Sequence, residues 1–451
     1  MSLAAPADAT LPEAAGAAAA GALPGGTPAV PAAPARPSWL DQWGAALRHP
    51  HFRVLFFSLL PGTLGMMMAS LAFGYLAYRL SGSATTLAIV NAGWGLPMVL
   101  VSPFAGVAAD RFNRRTIIIT TQSVIGLTAV AAALLVATGV IQVWHLFVVA
   151  VVQGVSFSFN MPARQALIAE VAGRDDLANA LALQNAGLSF NRVAGPAIGG
   201  ALLSLPAIGA TGVFAAMASL YALVLFLLRR LPRTVGRAPT TPPLRTRGPA
   251  QFVEGFRYVI SRPPLRRLLL LAFLPLLFGM PYQALMPAVA ARVFHVEAAG
   301  LGALLTANGV GALAGSLVLA RLGTPNRLSG LQLAAGLLFG AALVAFALTG
   351  AFLPALACIA VVGGASAVYS AVNNTLLMSE TPPEFHGRVM GVYFMTFAAM
   401  PLSSLPAAWT AERLGLPTTL VLSGLLSATV VALGAARWRR RAHGGQDAER
   451  S

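Results

Sequence analysis

The stretch GVAADRFNRR, residues 106–115, decides how the rest of the chain is read. It closes an apolar run that begins near Thr85. It then sets Asp110, Arg111, Arg114 and Arg115 close together, and TIIITTQSVIGL turns apolar again at once. A water-facing surface has no use for this alternation. Two segments that cross a bilayer, joined by a short loop in water, require it, because about 20 apolar residues span the hydrocarbon core.

Composition agrees. Of 451 residues, 57% are hydrophobic and 10% charged, against about 25% charged in an average soluble domain. All 30 basic residues are arginines, and the net charge is +16. In a soluble protein that excess would suggest nucleic acid. Here the arginines sit in loops between apolar runs, as the cytoplasmic loops of membrane proteins do, so no nucleic-acid partner is expected. Cys358, the sole cysteine, lies in an apolar run and reads as a small core residue.

Residues 1–38 are rich in Ala, Pro and Gly, with Arg36 as the first basic residue. Pro interrupts each apolar patch, so the segment lacks the basic start and unbroken core of a secretory signal and reads as a disordered tail. Apolar spans follow near 54–78, 85–109, 116–138, 142–163, 178–204, 207–228, 267–289, 299–320, 328–349, 353–378, 388–410 and 416–436. The expected fold is an all-α polytopic membrane protein of twelve transmembrane helices. Two pseudo-symmetric six-helix bundles, 48–228 and 267–438, flank a linker at 229–266 that is rich in Arg and Pro and holds Glu254 as its one acid. A basic tail occupies 439–451. The arginines Arg111, Arg114, Arg115, Arg321, Arg327 and Arg388, with those of the linker and tail, lie in alternate connections. That bias places both termini and the linker in the cytoplasm of a cell with an inner membrane.

The halves repeat weakly: ALIAE (166–170) ends the fourth span and LLMSE (376–380) the tenth. Internal symmetry of this kind marks secondary transporters, whose substrate site lies between the halves near the midplane. Spans 3, 6, 9 and 12 hold little polarity in their middles and can face lipid. Others carry polar stripes: Gln153, Ser156 and Asn160 on span 4, Asn185, Ser189 and Arg192 on span 5, and Ser366, Tyr369 and Asn373 on span 10. Asn91, Trp94, Tyr282, Gln283, Asn308 and Tyr393 add to these from spans 2, 7, 8 and 11. The coordinated pattern favours a polar path, and helix–helix hydrogen bonding uses the same residue types. Arg192 stands out. It lies about 21 Å into its span at 1.5 Å per residue, too deep to snorkel easily, and no Asp or Glu lies well inside any span. A cation there suits an anionic or acceptor-rich small molecule.

GVAADRFNRR resembles motif A of the major facilitator superfamily in residues, place and sidedness. FNMPARQALIAEVAGRDDLANALAL and NRVAGPAIGGALL resemble the span 4–5 region of its enterobactin-exporter-like branch, over a likeness that runs from about 48 to 438. GPAIGG (Gly195, Pro196, Gly199, Gly200) is similar to the core of motif C, with Ala182 and Asn191 where that motif has glycines. The resemblance implies a major facilitator fold and an exporter of small organic molecules such as drug-like compounds, siderophores or metabolites. It implies that Gly106 lets helices pack and that Asp110 caps the start of span 11, near Pro383 to Arg388. The second half has Ala320 before Arg321, without the acid. Proton antiport stays open, since members that use it often carry an acid inside a span. An uptake carrier of the same fold and a non-transporting sensor or scaffold are the alternatives. No nucleophile–base pair, metal cluster or nucleotide loop argues for an enzyme or a cofactor, and GALAGS (311–316) lacks the ending of a phosphate-binding loop. A monomer is expected.

Overall fold

Without water, a backbone in the bilayer must satisfy its own N–H and C=O groups, and a helix does this within one segment. The computed structural model of the chain describes residues 44–236, 248–324, 327–382 and 385–448. The expected tail at 1–38 and the final residues 449–451 lie outside them. A 3₁₀ turn at Ala45–Arg48 leads into α1 (Pro50–Ser81), α2 (Ala84–Arg111) and α3 (Arg114–Ala137). The run Val143–Ser204 contains α4 (Val143–Gly173) and α5 (174–204). Then follow α6 (Gly209–Arg229), α7 (Gly248–Ser261), α8 (Pro263–Gly279), α9 (Pro281–Arg292), α10 (Ala298–Leu322), α11 (Leu328–Leu348), α12 (Phe352–Ser379), α13 (His386–Leu414) and α14 (Leu416–Ala448).

Counting α8 and α9 as one bent span, this makes the twelve crossings expected. Ten spans are apolar enough among the described residues to qualify on composition alone. The other two are α5, which opens on charged residues, and α13. Two differences from the sequence reading have clear causes. Spans 4 and 5 are not separated by a loop: helix runs through the charged stretch and is interrupted only at Gly173, whose φ of 73° suits glycine alone at little cost. The linker is not all irregular, since α7 forms within it and buries Val259.

Packing distinguishes the two ends of the molecule. The end with the α2–α3 turn and the linker is called the linker end, and the end with the α1–α2 turn the far end. At the far end one apolar cluster joins both halves, bringing Met68, Leu71 and Phe214 together with Leu285, Leu301 and Leu416. At the linker end the clusters of the two halves are separate among the described residues. Leu55, Ile118, Leu167 and Val224 form one; Leu265, Leu268, Leu377 and Val389 form the other. Helices α2 and α13 run side by side, as do α5 and α10. At the α5–α10 seam a Cβ on Gly200 would lie 2.8 Å from the Cα of Gly302, so only glycine allows this approach.

Gly200→Val is therefore expected to overpack the seam at a cost of about 1–3 kcal/mol, read as a lowered thermal unfolding midpoint of the purified protein. Gly106→Ala, where an added Cβ meets nothing within 4 Å, serves as the comparison and should leave the midpoint nearly unchanged.

Candidate functional site

Polar side chains gather near the α5–α10 seam. Arg192 is exposed on α5, and its backbone carbonyl is 2.6 Å from where a Cβ on Gly309 of α10 would sit. Tyr282 Oη accepts from Asn308 Nδ2 at 2.8 Å and from Gln283 Nε2 at 3.2 Å. Gln283 is exposed. The backbone of Arg192 thus abuts α10 beside Asn308, a member of the Tyr–Asn–Gln cluster of the other half. Asn185 and Ser189 lie on α5 toward the linker end, exposed and half-buried respectively.

Other residues of the expected path are placed differently. Gln153 and Asn160 are buried and donate to Thr128 at 3.2 Å and Thr121 at 2.8 Å, both on α3. Ser156 is buried and bonds the Val152 carbonyl of its own helix at 2.8 Å. On α12, Asn373 accepts from Gln332 of α11 at 2.6 Å, Tyr369 donates to the Leu271 carbonyl of α8, and Ser366 bonds Gly363 O. Asn91 bonds Leu87 O, and Trp94 packs on Phe157, while Tyr393 sits in the linker-end cluster of the second half. In this conformation the buried side chains of these stripes bond to α3, α11, α8 or their own helix, so they tie helices together and do not line an open path. The physical reason is that a buried amide gains more from a helix partner than from facing hydrocarbon.

Sequence reasoning missed Arg164. It continues the stripe 153, 156, 160 by one more turn, but the span had been ended at 163, which put it in a loop. The structure buries it, with Nη1 on the Leu55 carbonyl at 3.3 Å and on Ser58 Oγ at 3.5 Å. Its Nη2 has no hydrogen-bond partner among the described residues.

In the motif at 106–115, Asn113 caps α3 by accepting from Thr116 N at 3.0 Å. Arg114 pairs with Glu170 at the end of α4, 3.0 Å away. The linker completes the unit: Gly236 N donates to the other Glu170 oxygen at 2.8 Å, and Gly236 O accepts from Arg114 N at 2.8 Å. Gly236 has φ +77°, and a Cβ there would lie 3.0 Å from Arg115 N. Arg115 reaches the Arg229 carbonyl at 3.4 Å, and Arg111 is exposed. A Cβ added at Gly106 would meet no atom of the described residues within 4 Å. Asp110 is half-buried on α2, and Pro383, part of the expected span 11 start, lies outside the described residues. In GPAIGG, Gly195 and Gly199 seat α5 against Met67 and Met68 of α1, and the Pro196 carbonyl meets Gly302. Asn191, where a motif glycine is missing, ties α5 to the Leu60 carbonyl at 2.9 Å and to Thr63.

A latch spans the halves at the far end. Glu412, near the end of α13, accepts from Ser83 Oγ and from Thr85 N (3.0 Å) at the start of α2. Arg292 of α9 donates to the Gly82 carbonyl and lies 5.5 Å from the centre of the Tyr78 ring. The Ser83 hydroxyl first, and then the Thr85 N–H, hold the Glu412 carboxyl below its ordinary range. The latch is thus fully formed above the usual carboxylate pKa and weakens as pH falls through the lowered one.

Residues 42–448 match the family described as transmembrane secretion effector. The chain is 28% identical over 391 residues to the multidrug efflux pump Tap of Mycolicibacterium fortuitum, covering 84% of this chain and 93% of that one. It is 26% identical over 359 residues to the enterobactin exporter EntS of Citrobacter koseri, covering 79% and 84%. Among solved structures, a POT family transporter in complex with 5-aminolevulinic acid superposes with a TM-score of 0.70 at 15% identity, covering 85% of this chain and 94% of that one.

These placements predict thiol reactivity. In a Cys358→Ala background, Asn185→Cys should react with a membrane-impermeant reagent at least about tenfold faster than Ser156→Cys or Ser366→Cys. Equal rates would mean that the buried stripes open to water in the membrane.

Proposed function

The chain belongs to the transmembrane secretion effector family of major facilitator transporters, and from that premise we propose that it exports small organic molecules across the inner membrane by alternating access. The observation that carries the reading is the α5–α10 seam. There an exposed Arg192 packs its backbone on Gly309, next to Asn308 of the Tyr282–Asn308–Gln283 cluster, while the far end carries a shared apolar core and the Glu412 latch. The moving bodies are residues 48–228 and 267–438, which rock about the glycine contact of Gly200 and Gly302. The protein works as a monomer with both termini and the linker in the cytoplasm, as the arginine distribution supports. On that orientation the separate linker-end clusters belong to an inward-facing state.

Arg192 selects the substrate class. A cation kept out of bulk water costs at least about 2.5–3.5 kcal/mol near the bilayer centre, and an anionic or acceptor-rich substrate offsets that cost. Similarity to efflux pumps for drugs and for enterobactin supports outward transport. A proton-coupled cycle would have to use acids at helix ends, Asp110 and Glu412, because no Asp or Glu lies well inside a span. Asp110 would then cap the start of α13 when the linker end closes, a contact worth roughly 0.3–2 kcal/mol.

The test is export from loaded cells or uptake into inside-out vesicles with a panel of anionic and cationic compounds. Arg192→Gln should cut transport of anionic compounds at least about tenfold, with Arg192→Lys retaining part of it. Undiminished anion export by Arg192→Gln would overturn the assignment. Glu412→Gln should leave expression intact and shift the resting population toward the outward-open state, seen as faster labelling from the outer side of a cysteine introduced at Ala298, which is buried in the far-end cluster.

A further inference from the structure

Beyond the transport seam, a cavity of about 640 Å³ opens at the linker end between α3 and α6. Arg115, Arg229, Arg230 and Arg233 line it, with Ile119 and Leu231 supplying apolar wall. None of its lining residues is acidic. The nearby acid, Glu170, already has both oxygens engaged, by Arg114 and by the Gly236 N–H. Arg115 Nε is buried and has no hydrogen-bond partner among the described residues. Four arginines line the cavity with no acid among its described lining residues, and cations so grouped repel one another unless an anion sits among them. Guanidinium groups favour phosphate in particular, through paired N–H donors.

The walls below the cavity point to what carries that phosphate. On α6, Leu223, Phe226 and Arg230 share one stripe at i, i+3 and i+7. Leu223 and Phe226 are exposed, and the Arg230 guanidinium lies 4.6 Å from the centre of the Phe226 ring. On α3, Val130 lies three turns beyond Ile119 on the same face and is exposed, as is Leu134. An apolar, outward-facing strip thus runs from the arginine cavity along both helices, about 17 Å on α3 at 1.5 Å per residue. A free anion would use only the cavity. An acyl chain would use the strip as well.

We propose that this cavity is a binding site for the headgroup of an anionic phospholipid, whose phosphodiester is held by Arg229, Arg230 and Arg233 and whose acyl chains lie along α3 and α6. The arginine-rich junction of the first half and the linker is thereby docked to the membrane surface. Basic pockets between membrane helices hold anionic headgroups by this chemistry. The assignment does not rest on the transport direction or on the substrate, so its failure would leave the exporter reading untouched.

The experiment is native mass spectrometry of the full chain, released from nanodiscs made with equal amounts of phosphatidylglycerol and phosphatidylcholine. Retained lipid is counted for the wild type and for the triple variant Arg229→Gln/Arg230→Gln/Arg233→Gln. The wild type should retain phosphatidylglycerol at least about tenfold over phosphatidylcholine, and the triple variant should lose that preference. A triple Arg→Lys variant should keep part of it, and an unchanged size-exclusion profile excludes misfolding as the cause. Phe226→Ser should weaken retention of phosphatidylglycerol with the arginines intact. Equal retention of the two lipids, or a preference that survives in the glutamine variant, would overturn the site. Complete displacement of phosphatidylglycerol by millimolar inorganic phosphate, with no effect of Phe226→Ser, would overturn the lipid as occupant in favour of a free phosphate.

Discussion

The hydrocarbon core of a bilayer offers no hydrogen bonds, and the rest of this structure follows from that constraint. It turns the backbone into helices and drives side-chain amides and hydroxyls to partners on neighbouring helices. Gln153 and Asn160 find α3, Asn373 finds Gln332, and Asn191 finds α1. Once these are paired within each half, what stays exposed is informative. Arg192 and Gln283 are exposed, on helices that belong to opposite halves. A polar group left at a moving seam can be given to a substrate; one tied within a half cannot.

The same constraint shapes how the halves touch. At the far end they share an apolar cluster and a latch from Glu412 to the start of α2. At the linker end their clusters are separate among the described residues. Gly200 and Gly302 bring α5 and α10 together at backbone distance within that shared cluster. The polar contacts of the latch are few and lie in water, where each contributes modestly. Two arrangements of the halves can therefore be close in energy, which is what a carrier requires, since a few kcal/mol of differential binding then shifts the population.

The sequence showed much of this directly. Apolar length marked the crossings. The glycines of GPAIGG marked a close helix contact. The direction of the polar stripes was not legible, because i, i+3, i+7 spacing puts residues on one face without saying whether a helix or a cavity stands opposite. Arg164 was hidden by a boundary: a charge conventionally ends a span, yet here helix continues through it to Gly173. Glu412 gave no signal, since an acid at a helix end finds its partner at Ser83 and Thr85, far away in the chain. Gly236 was equally silent within an Arg- and Pro-rich linker, although it closes the contact between Arg114 and Glu170.

Alternating access about the α5–α10 seam makes a reciprocal demand on the two ends, and electron–electron resonance distances test it most directly. One pair of spin labels replaces Asp175 and Arg321 at the linker end; a second pair replaces Ser204 and Ala299 at the far end. Each pair is measured in nanodiscs with the Glu412 latch intact and with Glu412→Gln. Rocking of two rigid halves predicts that breaking the latch lengthens the far-end distance and shortens the linker-end distance in the same fraction of molecules. Distances that lengthen together, or a linker-end distance unmoved while the far end opens, would contradict it.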